Sequence, residues 1–286
     1  MNVMNLNNSI PGWKYYNHAA VPTTAPHEIP DLTPIKDGSI WHLNGKNPLL
    51  ARYTTEWDCG YDTGWWYIIK DAPFNIESLS KNSRKHIKEA FRKVRVEKID
   101  PAEHITELYE CYKQAFSKYK LADNEISFEC FQNGCINATA DGIAYWAGFD
   151  LQDNRLIGYL TSKQNSDWTE IYTAKFDPRF LNLRVSDALY ASVLEYYLNM
   201  QGCKYVSSGS RSINHVTNTQ EYKESHFNYR KCFCKLNIVY SPKIQTVIRI
   251  LYPIRGIVNL LGRVNEQFHQ VSAILKMEEI ARKSVR

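Results

Sequence analysis

The stretch Thr169–Ser208, TEIYTAKFDPRFLNLRVSDALYASVLEYYLNMQGCKYVSS, decides the fold of this chain. It begins with alternating β-branched and aromatic residues, which are typical of a strand, and Asp177-Pro178 ends that strand and starts a helix. From Leu183 to Gly202 apolar residues recur every three or four positions, which predicts one amphipathic helix. Lys204–Ser208 has the pattern of a second strand. Because a strand, helix, strand order needs a crossover connection, we expect the two strands to pair in parallel.

The segments on either side of this stretch extend the predicted sheet. Leu156–Thr161 alternates in the same way, and a short polar link separates it from the strand at Thr169–Phe176, so the two should form an antiparallel hairpin. The polar run Gly209–Tyr222 (GSRSINHVTNTQEY) follows the second strand of the crossover. Ligands collect at the carboxyl ends of parallel strands in open α/β sheets. We therefore expect the functional site near residues 173–175 and 207–218.

Composition and charge limit the class of protein. The chain has 286 residues, is 44% hydrophobic and carries a net charge of +5, which suits one large or two modest globular domains. The N-terminus lacks the basic start, apolar run and cleavage site of a secretory signal, so we expect a cytoplasmic protein. Seven cysteines without a C-x-x-C pair favour reduced core residues, and no metal is expected.

We predict three parts along the chain: an N-terminal arm and β-rich extension (1–79), a mixed α/β domain (80–242) and a basic helical segment (243–286). The first part should contain strands at Ser39–Leu43, Leu49–Thr55 and Trp65–Lys70. Asp58 and Trp66 lie around the turn before the third strand and are candidates for substrate binding. Solvated turn carboxylates are the alternative interpretation of Asp58.

Positive charge is concentrated in the helix pattern that begins the second part. Residues 81–98 carry eight Lys or Arg against two Glu. This is either a solvated basic face or a site for a phosphate-bearing ligand, with Arg84 as the candidate. A nucleic-acid-binding function fits less well, because the aromatic residues lie in apolar patterns and are not interleaved with this charge.

The order of elements resembles a known fold. From Val94 the chain is predicted to form a strand, two helices, three antiparallel strands, a helix, a strand, a helix and final strands. This order resembles the acyl-CoA N-acyltransferase (GNAT) fold over residues 80–242. The runs LSKNSRKHIKEAFRKVRVEKI (79–99) and FNYRKCFCKLNIVY (227–240) are similar to GNAT-like proteins related to the FemAB peptidyltransferases of bacterial polysaccharide biosynthesis clusters. The resemblance implies an α/β protein with a GNAT-like mixed sheet flanked by helices.

The resemblance also implies roles for particular residues. A backbone splay near Tyr172–Lys175 would hold the acyl donor through Thr173, Ala174 and Lys175. GNAT enzymes bind the pyrophosphate of CoA on a glycine-rich loop at a helix start, but the matching stretch Pro178–Ser186 has no glycine, which leaves side chains to bind phosphate. The phosphate-binding candidates are Arg179 and Arg184. The implied donor is acyl-CoA, with acetyl-CoA first among them, or aminoacyl-tRNA.

Acyl transfer to an amine also needs a base and an acid. His215 is the candidate base because its unperturbed pKa lies near neutrality, although a histidine at a helix start is often a cap or a solvated residue. Tyr222 matches the general acid of GNAT enzymes if Phe227 matches the phenylalanine of their Gly-Phe pair; the alternative register puts Glu224 there. The residues expected to hydrogen-bond the substrate are Arg211, Ser212, Thr217 and Asn218.

These observations lead to one main functional hypothesis and one alternative. The main one is an N-acyltransferase acting on an amino group of a sugar or cell-envelope glycan precursor, either small or lipid-linked. The alternative is a catalytically inactive GNAT-like module of a polysaccharide assembly system.

The basic C-terminal segment leaves a second choice open. Residues 244–264 are strongly apolar but are interrupted by arginines, Pro253 and Gly256, which argues against a bilayer span. The segment is either a helix pair packed on the N-terminal strands or a helix at an anionic inner membrane surface.

Overall fold

The structure is a computed structural model that describes residues 10–117, 125–213, 218–262 and 266–284. Two compact units are present, one drawn from Met1–Tyr67, Ser210–Val216 and Lys231–Arg286, the other from Ile68–Gly209 and Thr217–Arg230. These units differ from the predicted division at residues 79 and 242, because the N-terminal and C-terminal segments belong to the same unit.

The described strands and helices follow one another without a repeat. The strands are β1 (Trp13–Tyr16), β2 (Ala19–Pro22), β3 (Leu50–Thr55), β4 (Trp66–Lys70), β5 (Val94–Ile99), β6 (Ala144–Asp150), β7 (Leu156–Gln164), β8 (Trp168–Phe176), β9 (Tyr205–Ser210), β10 (Arg230–Phe233) and β11 (Lys235–Tyr240). The α-helices are α1 (Thr33–Lys36), α2 (Lys81–Phe91), α3 (Ile105–Phe116), α4 (Phe128–Ala140), α5 (Val185–Leu194), α6 (Thr219–Phe227), α7 (Pro242–Leu251), α8 (Arg255–Leu261) and α9 (Glu266–Lys283).

The crossover predicted from the sequence is confirmed. Strands β7 and β8 form the antiparallel hairpin, and the helix that follows is α5 continued by a π-helical stretch, Glu195–Met200. The start of β8 then pairs in parallel with β9. These strands belong to a seven-stranded sheet with the order β10-β4-β9-β8-β7-β6-β5. The mixed α/β architecture expected from the sequence is therefore present.

Helix α5 lies unusually close to the sheet of the second unit. A Cβ atom at Gly148 would come within 2.7 Å of Val185 Cγ2, and one at Gly158 within 2.8 Å of the same methyl group. Both distances are too short for a real side chain, so the two glycines on β6 and β7 permit this close approach. Helix α5 is thereby held in the core, with its first turn over β6 and β7.

The first unit is built on a four-stranded sheet with the order β1-β2-β3-β11. Strand β3 pairs in parallel with β2 and antiparallel with β11, so residues near 50 lie beside residues near 240. Met277 and Ile280 of α9 pack against the buried residues Trp65 and Leu236. Helix α9 thus shares a core with Trp65 and with β11.

One prediction about secondary structure was wrong. Ser39–Leu43 is not a strand but part of a 3₁₀ segment, Ser39–Gly45, which is kinked at His42–Asn44 and buries Ile40 and Leu43. Gly38, which has a positive φ, precedes the segment, and Asn44, which also has a positive φ, lies at its kink. The predicted final strands are present but lie in different sheets, since β10 pairs in the seven-stranded sheet and β11 in the four-stranded one.

Candidate active site

The site in the second unit begins where strands β8 and β9 separate. Their parallel pairing runs from Trp168–Tyr205 to Glu170–Ser207 and then stops. On its other edge, β8 changes register against β7, where Thr161 pairs with Thr173 but Ser162 pairs with Ile171. Tyr172 is therefore an extra residue, a β-bulge, which bends a strand and increases its twist. The separation coincides with the splay that the family resemblance predicted near Tyr172–Lys175.

The residues beyond the bulge already have partners. The Thr173 amide donates to Thr161 Oγ1 at 3.1 Å, and the Lys175 carbonyl accepts from Cys111 Sγ at 3.8 Å. The Lys175 ammonium lies 5.9 Å from the centre of the Tyr112 ring, while Ala174 packs against the core. The role predicted for Thr173, Ala174 and Lys175 in holding a donor stays a prediction, and the Thr173 amide would first have to release Thr161.

A buried lysine that sequence reasoning missed lies at the end of β9. Lys223 is on α6, one helical turn before the fully buried Phe227, and only 5% of its surface is exposed. Its ammonium donates to Ser208 Oγ and lies 5.3 Å from the centre of the Tyr190 ring. Burial lowers the pKa of Lys223 to about 8. Both protonation states are thus accessible close to neutral pH.

Next to Lys223, the Tyr222 hydroxyl donates to a carboxylate. Asp187 Oδ1 accepts this bond at 2.8 Å, and Ser186 Oγ lies 3.2 Å from the same hydroxyl. Asp187 is itself buried in the first turn of α5. Burial, followed by the negative charge of Asp187, raises the pKa of Tyr222 well above its usual value. A tyrosine in this state is a weak acid, so the contact favours positioning of Asp187, and the general-acid role of Tyr222 stays a prediction.

Two histidines border this cluster. The rings of His226 and Tyr222 have centres 4.4 Å apart, and the rings of His226 and His86 are stacked at 6.2 Å. Burial, followed by the charge of Arg184, lowers the pKa of His86. Among the described residues, no group donates to or accepts from the buried His86 Nδ1. His86 was not singled out in the sequence, because it falls inside a run of basic residues.

The start of α5 is where the GNAT fold would place a pyrophosphate, and its groups are engaged. Residues Pro178–Leu183 form a 3₁₀ helix that runs into α5 through Arg184, whose φ is +60°. The Asp187 amide already donates to the Arg184 carbonyl at 2.9 Å. The Arg179 guanidinium binds Asp177 at 2.5 Å, and Arg184 Nε lies 3.3 Å from Glu89 Oε2. Phosphate binding by Arg179 and Arg184 stays a prediction, in competition with these carboxylates.

The other predicted residues of the second unit lie apart from this cluster or outside the described chain. The Arg84 guanidinium donates to the Glu77 carbonyl at 3.0 Å and lies 3.4 Å from its carboxylate. Asn218 is exposed and precedes α6 without capping it by its side chain. His215 and Thr217 lie outside the described residues, so their predicted roles stay predictions.

In the first unit, two predicted binding residues come together. The Arg211 guanidinium lies 4.6 Å from the centre of a Trp66 ring, and the Lys231 ammonium lies 5.0 Å from it. Arg211 also donates from its backbone to the Trp66 carbonyl at 2.8 Å and from Nη1 to the Gly64 carbonyl. Asp58 and Ser212 are exposed, and Asp58 has a positive φ of 56° in a turn.

A pocket of about 420 Å³ lies in the same unit. It is lined by charged and apolar residues, namely Asp62, Thr63, Gly64, Arg211, Ile213, Lys276, Glu279, Ile280 and Lys283. Within the described ranges, no cluster of three or more His, Cys, Asp or Glu has the arrangement of a metal site.

Comparison with solved structures identifies the fold. FemX matches with a TM-score of 0.57 at 7% identity, over 84% of this chain and 85% of that chain. L-PGS from Bacillus licheniformis matches with a TM-score of 0.51 at 12% identity, over 84% and 83%. The C-terminal DUF2156 domain of a protein assigned as a lysylphosphatidylglycerol synthetase from Agrobacterium fabrum matches with a TM-score of 0.51 at 9% identity, over 83% and 82%.

These likenesses confirm the fold class expected from the sequence. The chain has a FemAB-like GNAT fold, with mixed sheets flanked by helices. Identities this low establish the fold and not the reaction. No protein-family profile matches the chain. No curated protein sequence matches it significantly either.

Proposed function

We propose that this protein is an N-acyltransferase that joins an acyl or aminoacyl group to an amino group of a sugar or cell-envelope glycan precursor. The observation that carries the proposal is the buried Lys223, whose ammonium lies beside Ser208 where β9 leaves β8. A FemAB-like GNAT fold supports the reaction class by analogy. The chemical argument comes from the site itself.

In the proposed reaction, Lys223 moves one proton. The acceptor nitrogen attacks the donor carbonyl carbon, a C–N bond forms, and the C–O bond of an ester or the C–S bond of a thioester breaks. Neutral Lys223 takes the proton from the attacking nitrogen and returns it to the leaving oxygen or sulfur. A group with a pKa of about 8 can do both near neutral pH. His215 remains a second candidate base, on sequence grounds alone.

The start of α5 favours an aminoacyl ester over acyl-CoA as the donor. A CoA pyrophosphate needs unoccupied amides and positive charge at a helix start. Here the Asp187 amide is engaged, the Asp187 carboxylate adds negative charge, and Arg179 and Arg184 are held by other carboxylates. One structural relative is, by its name, a lysylphosphatidylglycerol synthetase, which agrees with aminoacyl transfer. Aminoacyl-tRNA is therefore the donor we expect, and acetyl-CoA is the donor to test against it.

A catalytically inactive module is the second candidate, and one observation favours it. Of the three residues predicted to hold the donor, only Thr173 has a described hydrogen bond from its amide to a side chain. That amide donates to Thr161 Oγ1. A site that keeps this bond could not offer that amide to a carbonyl oxygen. The inactive module would serve a polysaccharide assembly system without transferring a group.

Intact-mass analysis of the acceptors distinguishes an active transferase from an inactive module, and one donor from another. The full chain is incubated with amino sugars or amino-bearing glycan precursors and, in separate reactions, acetyl-CoA, a longer acyl-CoA or a mixture of aminoacyl-tRNAs. We expect one acceptor to gain the mass of one aminoacyl group, and Lys223→Met to lose this activity while Lys85→Met, an exposed lysine on α2, keeps it. Transfer from acetyl-CoA alone would overturn the donor assignment, and no transfer from any donor would favour the inactive module.

A further inference from the structure

The helical segment Pro242–Leu261 has one face packed on its unit and one bare apolar face. It consists of α7, a 3₁₀ turn (Tyr252–Ile254) and α8. Ile248 and Val258 are buried against Leu275 of α9. The residues exposed on the bare face are Val247, Ile250, Ile254, Ile257, Leu260 and Leu261.

The exposed residues form a continuous stripe. Positions 247, 250, 254, 257 and 261 are spaced by three or four, which places them on one side of a helical segment. Ile250, Ile257 and Leu260 are each more than 60% exposed. Single exposed apolar residues are ordinary, but a contiguous row of this length is characteristic of an interaction surface.

The charges around the stripe indicate what covers it. The segment from Pro242 to Asn265 contains no acidic residue. Lys243 and Arg249 are exposed beside the stripe, whereas Arg255 is held by Glu279 at 3.7 Å and by the Tyr252 ring at 4.4 Å. We propose that this face docks the protein onto an anionic lipid bilayer, with the segment lying in the plane of the interface, because an apolar stripe flanked by cations complements acyl chains below anionic headgroups.

The structure argues for lying on the bilayer and not crossing it. Pro242–Leu261 is long and apolar enough to cross a membrane by length and composition, with a mean hydropathy of 1.2. Crossing would require the segment to leave α9, breaking the contacts of Ile248 and Val258 and the 2.8 Å hydrogen bond from Ser272 Oγ to Asn259 Oδ1. An interfacial position keeps these contacts and covers only the exposed stripe.

Docking onto the membrane would also indicate the class of acceptor, a consequence that rests on the proposed function. A protein held at the inner membrane face meets lipid-linked acceptors at high local concentration. The acceptor class is then an amino group on a lipid-linked sugar and not on a soluble one. Binding to lipid can be measured without a donor or acceptor, so it succeeds or fails independently of the transfer reaction.

The test is sedimentation of the full chain with vesicles. One set contains phosphatidylcholine only, and the other contains about one third phosphatidylglycerol. We expect binding to the anionic vesicles that weakens with salt, and a bound fraction lowered about tenfold or more in Ile250→Glu/Ile257→Glu. Ile136→Glu is the matched control, because Ile136 is also an exposed isoleucine on a helix, α4, far from this segment in sequence. Washing with alkaline carbonate should release the protein.

Four results would overturn the proposal. These are no lipid-dependent binding, equal binding by wild type and Ile250→Glu/Ile257→Glu, retention on the vesicles after the carbonate wash, and a lipid-free dimer that the same double variant abolishes. The third would show that the segment crosses the bilayer, and the last that the stripe is an interface between two copies of the chain.

Discussion

The ammonium group of Lys223 is almost shielded from water, and its burial has a cost at neutral pH. Its pKa is about 8 in the folded protein against 10.5 for an ordinary lysine. At pH values between about 8 and 10.5, Lys223 is protonated in the unfolded chain and neutral in the folded one. The free energy of unfolding therefore rises with pH across this range. At neutral pH the charged, buried form is destabilising by about 3 kcal/mol.

Lys223→Met should therefore stabilise the fold at neutral pH. We expect its free energy of unfolding to exceed that of wild type by up to about 3 kcal/mol near pH 7, with the difference shrinking as the pH rises from about 8 to about 10.5. Denaturant unfolding at several pH values measures this. Lys85→Met is the control and should show no such window. A constant difference between Lys223→Met and wild type at all pH values would contradict the assignment.

Tyr222 and Asp187 should be energetically coupled. Tyr222→Phe removes the only described donor to a buried carboxylate oxygen, and we expect it to lower the free energy of unfolding by about 1–3 kcal/mol. Combined with Asp187→Ala, it should cost less than the sum of the two single changes, because each change removes one partner of the same hydrogen bond. Additive effects in denaturant unfolding would mean that this hydrogen bond contributes little.

Sequence patterns could predict part of this cluster and not the rest. The resemblance to GNAT enzymes made Tyr222 a candidate, because it lies five residues before Phe227. The expectation that ligands collect at the carboxyl ends of parallel strands pointed to the polar loop after β9. Lys223 was missed because a lysine in a helix is ordinarily solvated, and only the packing of α6 buries it. Asp187 lies in an apolar helical pattern, where a single acidic residue gives no local sign of a tyrosine partner 35 positions away.

The crossover element was predictable because its signals are local. Thr169–Ser208 contains every signal that was needed: the alternating side chains of the strands, the Asp177-Pro178 stop and the helical spacing of apolar residues. Parallel pairing of the two strands follows from the helical connection between them. The prediction for Ser39–Leu43 was wrong because a short apolar run suits a strand and a kinked 3₁₀ segment equally well, and both can bury Ile40 and Leu43.

The close packing of α5 gives a prediction about the same element. Gly158→Ala and Gly148→Ala should each lower the free energy of unfolding by about 1–3 kcal/mol, because the new methyl group collides with Val185. Val185→Ala should relieve most of the effect in the double variant with Gly148→Ala. It should relieve only part of it with Gly158→Ala, whose methyl group would also lie 3.0 Å from Phe176 Cδ1. Gly134→Ala on α4, where nothing lies within 4 Å, should be neutral or stabilising by about 0.5–1 kcal/mol. Equal stabilities for all three alanine variants would show that α5 packs less closely.

The division of the whole chain into units was beyond sequence reasoning. It depends on the pairing of β3 with β11, in which Leu50 faces Tyr240. Two strands so far apart in the sequence give no sign that they pair, so the predicted boundaries followed composition. The apolar C-terminal segment was recognised from its composition, and in the structure one face of it packs on α9 while the other is exposed. The expectation that it lies at a membrane surface stays a prediction.

The claim that acyl transfer takes place beside Lys223 is tested most directly by the pH dependence of kcat/KM for transfer from aminoacyl-tRNA to an amine. Wild type should rise with pH and level off above about 8, because neutral Lys223 is the base. Lys223→Arg, which stays charged, should fall about hundredfold or more at every pH while remaining folded, and Lys85→Arg should follow wild type. A wild-type profile without an inflection near pH 8, or full turnover by Lys223→Arg, would contradict the account.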